Sequence, residues 1–322
     1  MRKTAAALIT LGLAALALTG CSGAPSFDGK GCPSSSSRLT GSVTVTGAVG
    51  KAPTVTVDTP MHVQSTTVDV LTAGKGTRIT AQHQPLVADV ALYSGRTGKQ
   101  LVATEFNGDT SRVGDVASWA SQAKGIGTAL QCATAGSRII AGIPFGDLSS
   151  QLASGLNLTS GDSVVAVVDV LKVYLPHAEG SLEYNDALGL PTVVRAPDGR
   201  PGIIVPDAKK PTTLVAQTLI RGNGPKVKDT DTVRVQYTGV DWDTRKVFDS
   251  SWDKQSASFA LNQVIPGFAK GLTGKTVGSQ VMLVVPPKDG YGAQGGGSVG
   301  PNATLVFVVD ILGIDAPAAS GQ

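Results

Sequence analysis

Six side chains in the last third of the chain stand out by type and order: Tyr237, Phe248, Asp249, Phe268, Tyr291 and Phe307. They sit in Val235-Gln236-Tyr237-Thr238-Gly239, Lys246-Val247-Phe248-Asp249-Ser250-Ser251, Val264-Ile265-Pro266-Gly267-Phe268, Tyr291-Gly292 and Ala303-Thr304-Leu305-Val306-Phe307, with Val277-Gly278-Ser279 between the third and fourth. Taken singly, each is ordinary. A phenylalanine on a strand is usually core, Tyr-Gly is usually a turn, and Asp-Ser-Ser is usually an Asx turn. Taken together they supply rings, two phenols and one carboxylate. Such a set can enclose an apolar group and hold the polar atoms beside it. No metal set accompanies them: His62, His83 and His177 are scattered, without a Cys or His partner at ligand spacing.

The order and spacing of these motifs closely resemble the FKBP-type peptidyl-prolyl cis/trans isomerases. That resemblance implies catalysis of Xaa-Pro isomerisation, without a cofactor. The prolyl amide resists rotation because twisting breaks C–N resonance, a barrier of about 18–20 kcal/mol. The twisted amide is less dipolar than the planar one, so an apolar pocket favours it. Hydrogen bonds need only hold the flanking backbone in the twisted geometry. By the resemblance, Tyr237, Phe248, Phe268 and Phe307 wall the proline pocket. Val264 and Ile265 form its rim, the Ile265 N–H bonding a substrate carbonyl. The Tyr291 hydroxyl bonds the carbonyl before the proline, and Asp249 sits beside the twisting amide and orients Tyr237. The implied clients are proline-containing polypeptides, and macrolides are the implied inhibitors.

The chain departs from the family pattern at several points. Phe268 stands where the family usually has Trp. The stretch between Asp249 and Phe259 is one residue short, which puts a family aromatic near Ala257 and leaves one wall open. The loop Gly295-Gly296-Gly297-Ser298-Val299-Gly300-Pro301 is also a residue short and has no match for the family's loop His; Val299 is the candidate for its apolar lip. These changes bear on macrolide affinity and substrate preference more than on fold.

The elements that must position these residues read as strands. Alternation marks 42–46 and 54–57, and strand-like runs recur at 67–71, 87–92, 138–142 and 163–173, then at 213–219, 232–240, 258–261, 280–285 and 304–312. Ile265, Phe268 and Leu272 share one side of a short helix that opens at Pro266. The text is written twice: Leu71-Thr72-Ala73-Gly74-Lys75-Gly76 parallels Leu219-Ile220-Arg221-Gly222-Asn223-Gly224, and Asp169-Val170-Leu171 parallels Asp310-Ile311-Leu312. The expected class is α+β, with two FKBP-like domains, each an antiparallel sheet curved around one short helix. The expected organisation is a signal peptide at 1–20, a flexible tether at 21–40, a degenerate domain at 41–176, a linker at 177–194, the isomerase domain at 195–315 and a tail at 316–322. In the first domain Val90 aligns with Tyr237, Leu101 and Val102 with Phe248 and Asp249, and Ile126 with Phe268, so it is expected to be catalytically silent.

The N-terminus reads as a targeting segment. Arg2-Lys3 precede an apolar run from Thr4 to Leu18, too short to span a bilayer, that ends in Leu18-Thr19-Gly20-Cys21, a lipobox-like sequence. Lipidation of Cys21 would place the chain on the extracytoplasmic face of a cell membrane. In that oxidising setting Cys32 and Cys132 are candidates to pair; two free thiols are the alternative. The net charge of +3 includes Arg2 and Lys3, and it argues against nucleic acid as a partner. A monomer is expected. A non-catalytic chaperone or binding module on the cell surface is the alternative function, and a structural envelope lipoprotein of repeated β domains a third.

Overall fold

The computed structural model describes residues 26–33, 38–184 and 187–316. The signal peptide, the lipidation candidate Cys21 and tail residues 317–322 lie outside the described residues.

The first domain opens with a small ladder, β1 (Ser26–Phe27) with β2 (Lys30–Gly31). An antiparallel hairpin follows, β3 (Val43–Thr46) with β4 (Thr54–Val57). The sheet comes from β5 (Thr67–Thr72), β6 (Leu86–Ser94), β7 (Gln100–Ala103), β8 (Arg138–Pro144) and β9 (Ser163–Val173), in the order β5-β8-β9-β6-β7, with every pair antiparallel. Helices α1 (Val116–Gln122) and α2 (Lys124–Leu130) lie between β7 and β8, and α3 (Ser150–Gly155) between β8 and β9.

The second domain begins with β10 (Ser181–Leu182) and the hairpin β11 (Thr192–Arg195) with β12 (Pro201–Ile204). It continues with β13 (Val215–Arg221), β14 (Thr232–Asp241), β15 (Val247–Ser250), β16 (Ala257–Ala260), α4 (Pro266–Leu272), β17 (Gln280–Val285) and β18 (Leu305–Ile314). Its sheet runs β10-β13-β17-β18-β14-β15, and β16 also pairs with β14. The order β13-β17-β18-β14-β15 repeats that of the first domain strand for strand, so the doubled text is a doubled topology.

The repeat extends to its joints. Gly74 N–H donates to Ser137 Oγ at 2.9 Å, and Gly222 N–H donates to Ser279 Oγ at 3.0 Å. Both glycines are forced by crowding: a Cβ would lie 2.1 Å from Ala135 O at Gly74 and 2.2 Å from Val277 O at Gly222. Glycines also seat the helices. A Cβ at Gly125 of α2 would meet Ile143 at 2.5 Å, and one at Gly267 of α4 would meet Val285 at 2.4 Å.

The central strands β6, β9, β17 and β18 read as continuous apolar runs because both sheet faces are covered. In the second domain one face packs under α4, with Val235, Phe268, Leu272, Leu283 and Val309 in that core. The other face, with Met282, Val284, Val306 and Val308, is closed by Val193, Ile203 and Val205 of the hairpin segment. The first domain is covered likewise, with Val43 and Val57 of its hairpin against Ile140, Val165 and Val167.

The segments expected as a tether and as a linker both pack on the domains. In the expected tether, Phe27 packs in the first core, Asp28 N–H donates to Thr80 O at 2.8 Å, and Cys32 is disulfide-linked to Cys132. In the expected linker, β10 adds to the sheet edge, Glu179 N–H donates to Gly278 O at 2.9 Å, and β11 opens the covering hairpin. The Pro and Gly residues there punctuate turns. Gly199, at φ +92°, closes the β11–β12 turn, where a side chain is disfavoured.

Asp310 ties the same segment to β18. It is 1% exposed and accepts from Ala178 N–H at 2.7 Å and Gln280 Nε2 at 2.8 Å. Burial, the dominant influence, pushes its carboxyl up to about 6. The folded state therefore holds this proton more tightly than the unfolded chain does. The group favours folding below about pH 4, and that contribution is lost as pH rises through 6. The Ala178 amide resonance is expected to titrate with a midpoint near 6; a midpoint in the ordinary carboxylate range would contradict this.

Candidate active site

β14, β15, β18 and α4 bring the predicted rings together. Tyr237 and Gly239 share a face of β14, and Gly239 lies in register with Asp249 of β15 and Phe307 of β18. Pro266 starts α4 so that Phe268 drops onto the same face, where it is 4% exposed. Four edge-to-face contacts join the set: Phe248 with Phe307 at 5.5 Å, Phe307 with Phe268 at 5.4 Å, Phe268 with Phe259 at 5.6 Å, and Phe259 with Tyr237 at 5.6 Å. Phe259 is the ring that sequence reasoning left out. The wall read as open at Ala257 has an aromatic two residues further on, contacting both Tyr237 and Phe268.

The polar groups stand at the rim. The Tyr237 hydroxyl donates to Asp249 Oδ2, and Ser250 N–H holds Asp249 Oδ1 at 2.9 Å. Burial first, then the Asp249 acceptor and its charge, raise the Tyr237 phenol well above its usual range, so it stays a neutral donor. Activity is accordingly expected to show no alkaline limb from this phenol up to about pH 10; an ionisation assigned to Tyr237 near pH 9 in a pH–rate profile would contradict this. The Asp249 side chain is 44% exposed, with Lys254 Nζ 3.9 Å away. Val264 and Ile265 are half-buried where the chain enters α4. Tyr291 is 43% exposed, and its ring lies against Gly296, where a Cβ would come within 2.8 Å. The Gly-rich loop folds back on itself through Gly296 and Val299, and Ser298 Oγ donates to Phe248 O at 3.2 Å. Val299 is buried against the ring-bearing core.

Of the three tryptophans, the two in the second domain, Trp242 and Trp252, lie apart. Trp242 belongs to the opposite face of the sheet, with Val205 and Val240. Trp252 is half-buried in the loop after Asp249.

The first domain has the same frame with its pocket filled. The Gly239–Phe307 pair is replaced by Leu92 opposite Ala166. Val90, Leu92, Ile126 and Ala166 are buried in one core, with Leu101 packed against it.

The match to known proteins follows this division. The family model for FKBP-type peptidyl-prolyl cis-trans isomerase matches residues 224–312. A probable FK506-binding protein of Corynebacterium glutamicum is 39% identical over 114 residues, which is 35% of this chain and 97% of that protein. The chain belongs to the FKBP-type peptidyl-prolyl cis/trans isomerases. The isomerase FkpA of Aeromonas hydrophila is 50% identical over 102 residues, 31% of this chain and 38% of that protein. The crystal structure of FkpA from Escherichia coli is 35% identical, covering 40% of this chain and 53% of that one, with a TM-score of 0.31. The chain thus spans nearly all of the short relative and about half or less of these two longer ones.

Proposed function

We propose that this FKBP-type isomerase acts on Xaa-Pro bonds of exported polypeptides from a lipid anchor on the extracytoplasmic face of a cell membrane. The observation that carries the catalytic part is the ring set closed by Tyr237, with its hydroxyl fixed by Asp249. A proline ring enters the apolar box. The amide carbonyl then leaves its hydration shell as the bond twists, beside the Asp249 carboxylate and within reach of the Ile265 N–H and Tyr291 hydroxyl at the rim. No covalent step is required: the box favours the less dipolar twisted amide, and the rim bonds hold its flanks. The lipobox-like sequence ending at Cys21 supports the location.

Two experiments test this reading. Mature chain added to a reporter protein whose refolding is limited by a prolyl bond should shorten the slow phase of tens of seconds in proportion to its concentration. An unchanged slow phase from folded protein would favour the non-catalytic binding reading. Wild-type chain should fractionate with membranes and Cys21→Ala should not; a Cys21→Ala protein that remains membrane-bound would refute the anchor.

A further inference from the structure

We infer that the first domain braces the active-site loop of the second, with Tyr174 as the positioning residue at the junction; this rests on the isomerase reading above. Residues 250–258 connect Asp249, which orients Tyr237, to Phe259, whose ring contacts Tyr237 and Phe268. The middle of this loop, Asp253 to Gln255, is exposed. Its first residues are tied to the pocket strand, Ser250 Oγ donating to Tyr237 O at 3.2 Å and Ser251 Oγ accepting from Tyr237 N–H at 2.9 Å; from Asp253 onward the side-chain hydrogen bonds lead away from the pocket. In its middle, Asp253 accepts from Arg200 of the covering hairpin at 2.5 and 3.1 Å. At its far end, Ser256 O and Oγ face Arg234 Nη1 at 3.4 and 3.3 Å, and Ser258 Oγ donates to Asp315 Oδ2 at 2.5 Å.

Asp315 is where the first domain enters. Arg234 grips it through two bonds, 3.0 and 2.8 Å, with both side chains about nine-tenths buried at 11% and 10% exposure. The Tyr174 hydroxyl, just past the end of β9, donates to Asp315 Oδ1 at 2.6 Å, and the Arg234 guanidinium lies 5.3 Å from the Tyr174 ring centre. Tyr174 is 2% exposed and seats against Gly313, where a Cβ would come within 2.5 Å of the ring. Lys172 adds a second link, donating to Ile314 O at 2.7 Å. His83, Pro85 and Asp115 of the first domain also share a small cleft with Arg234, Gln255 and Ser256 at the end of the loop.

The path from this latch to the site is short. Ser258 is adjacent to Phe259; in the β14–β16 register Arg234 faces Ser258, and Val233 faces Phe259. Without the Tyr174 hydroxyl, Asp315 lacks one partner and the domains lose a buried bond between them. Asp315 can then shift with Ser258, and Phe259 loosens against Tyr237. A domain whose own pocket is filled thereby acquires a use in its neighbour's chemistry.

The test is Tyr174→Phe in the full mature chain, which keeps the ring and removes only the hydroxyl. The expected result is kcat/KM for an Xaa-Pro peptide lowered about three- to tenfold, mainly through kcat, the size typical of coupling through packed contacts. Amide exchange should quicken in 250–260 and stay unchanged in β17. Lys172→Met, on the same junction, should move both readouts in the same direction. Unchanged kcat, KM and exchange in 250–260 would overturn the inference. So would a loss of activity accompanied by exchange rising equally in β17 and β18, the signature of general destabilisation. Wild-type chain without turnover would overturn the proposed function instead, and exchange in 250–260 would still decide the brace.

Discussion

Gly239→Leu is expected to lower kcat/KM for Xaa-Pro peptides by about a hundredfold, with the second domain still folded. A Cβ at this position would lie 2.5 Å from Phe248 Cζ, so the ring that forms one wall must leave its place. The added side chain then projects into the space shared with Phe307, opposite it on β18. Losing burial of a proline-sized apolar group removes about 2–3 kcal/mol of transition-state stabilisation, a factor of about a hundred. Gly239 is not among the positive-φ residues of the chain, so the leucine brings no backbone strain of that kind. The first domain shows that the frame accepts the residue, since Leu92 occupies the equivalent position at 3% exposure. There it faces Ala166, where the second domain has Phe307, so the two domains exchange volume across one register pair. The check is peptide turnover by Gly239→Leu, with circular dichroism to establish folding. Activity within threefold of wild type would mean that the box is not where proline binds.

Removing the Cys32–Cys132 disulfide is expected to cost the first domain about 4–5 kcal/mol, because it closes a loop of 100 residues. Its physical content is the constraint on the unfolded chain. In the folded state it pins the strap that carries Phe27 into the core. A paired Cys32→Ala, Cys132→Ala variant should unfold at markedly lower urea in the first-domain transition, while the second-domain transition stays in place. Reductant should shift the wild type toward the variant and leave the variant itself unchanged. Superimposable unfolding curves for wild type and variant would contradict this.

How far the sequence discloses this molecule depends on the kind of signal. The rings that cluster around Phe268 were legible, Phe259 apart, because their order and spacing are those of a family. The strands were legible because two-sided burial writes long apolar runs. Phe259 was missed because the family aromatic falls near Ala257, and only the contacts of Phe259 with Tyr237 and Phe268 reveal its place. The packing of Phe27 and of the 177–194 linker was not legible because Pro, Gly and Ser punctuate tight turns as readily as they loosen a tether. In the first domain the short helices α1 and α3 lack the several turns over which a helical period becomes visible. The latch of Tyr174, Arg234 and Asp315 carries no motif at all. Its residues lie at strand ends far apart in the chain, and only the packing of one domain on the other brings them together.

The account's central claim is that the second domain accelerates rotation about the Xaa-Pro bond with the groups around Tyr237. Its most direct test is a protease-coupled isomerisation assay on residues 22–322, beside Asp249→Val and Tyr291→Phe, across several residues before proline. The account predicts clear acceleration by wild type and a loss of about tenfold or more in each variant, the size of one hydrogen bond made in the transition state. A wild-type rate equal to the uncatalysed one, or variants as active as wild type, would contradict it.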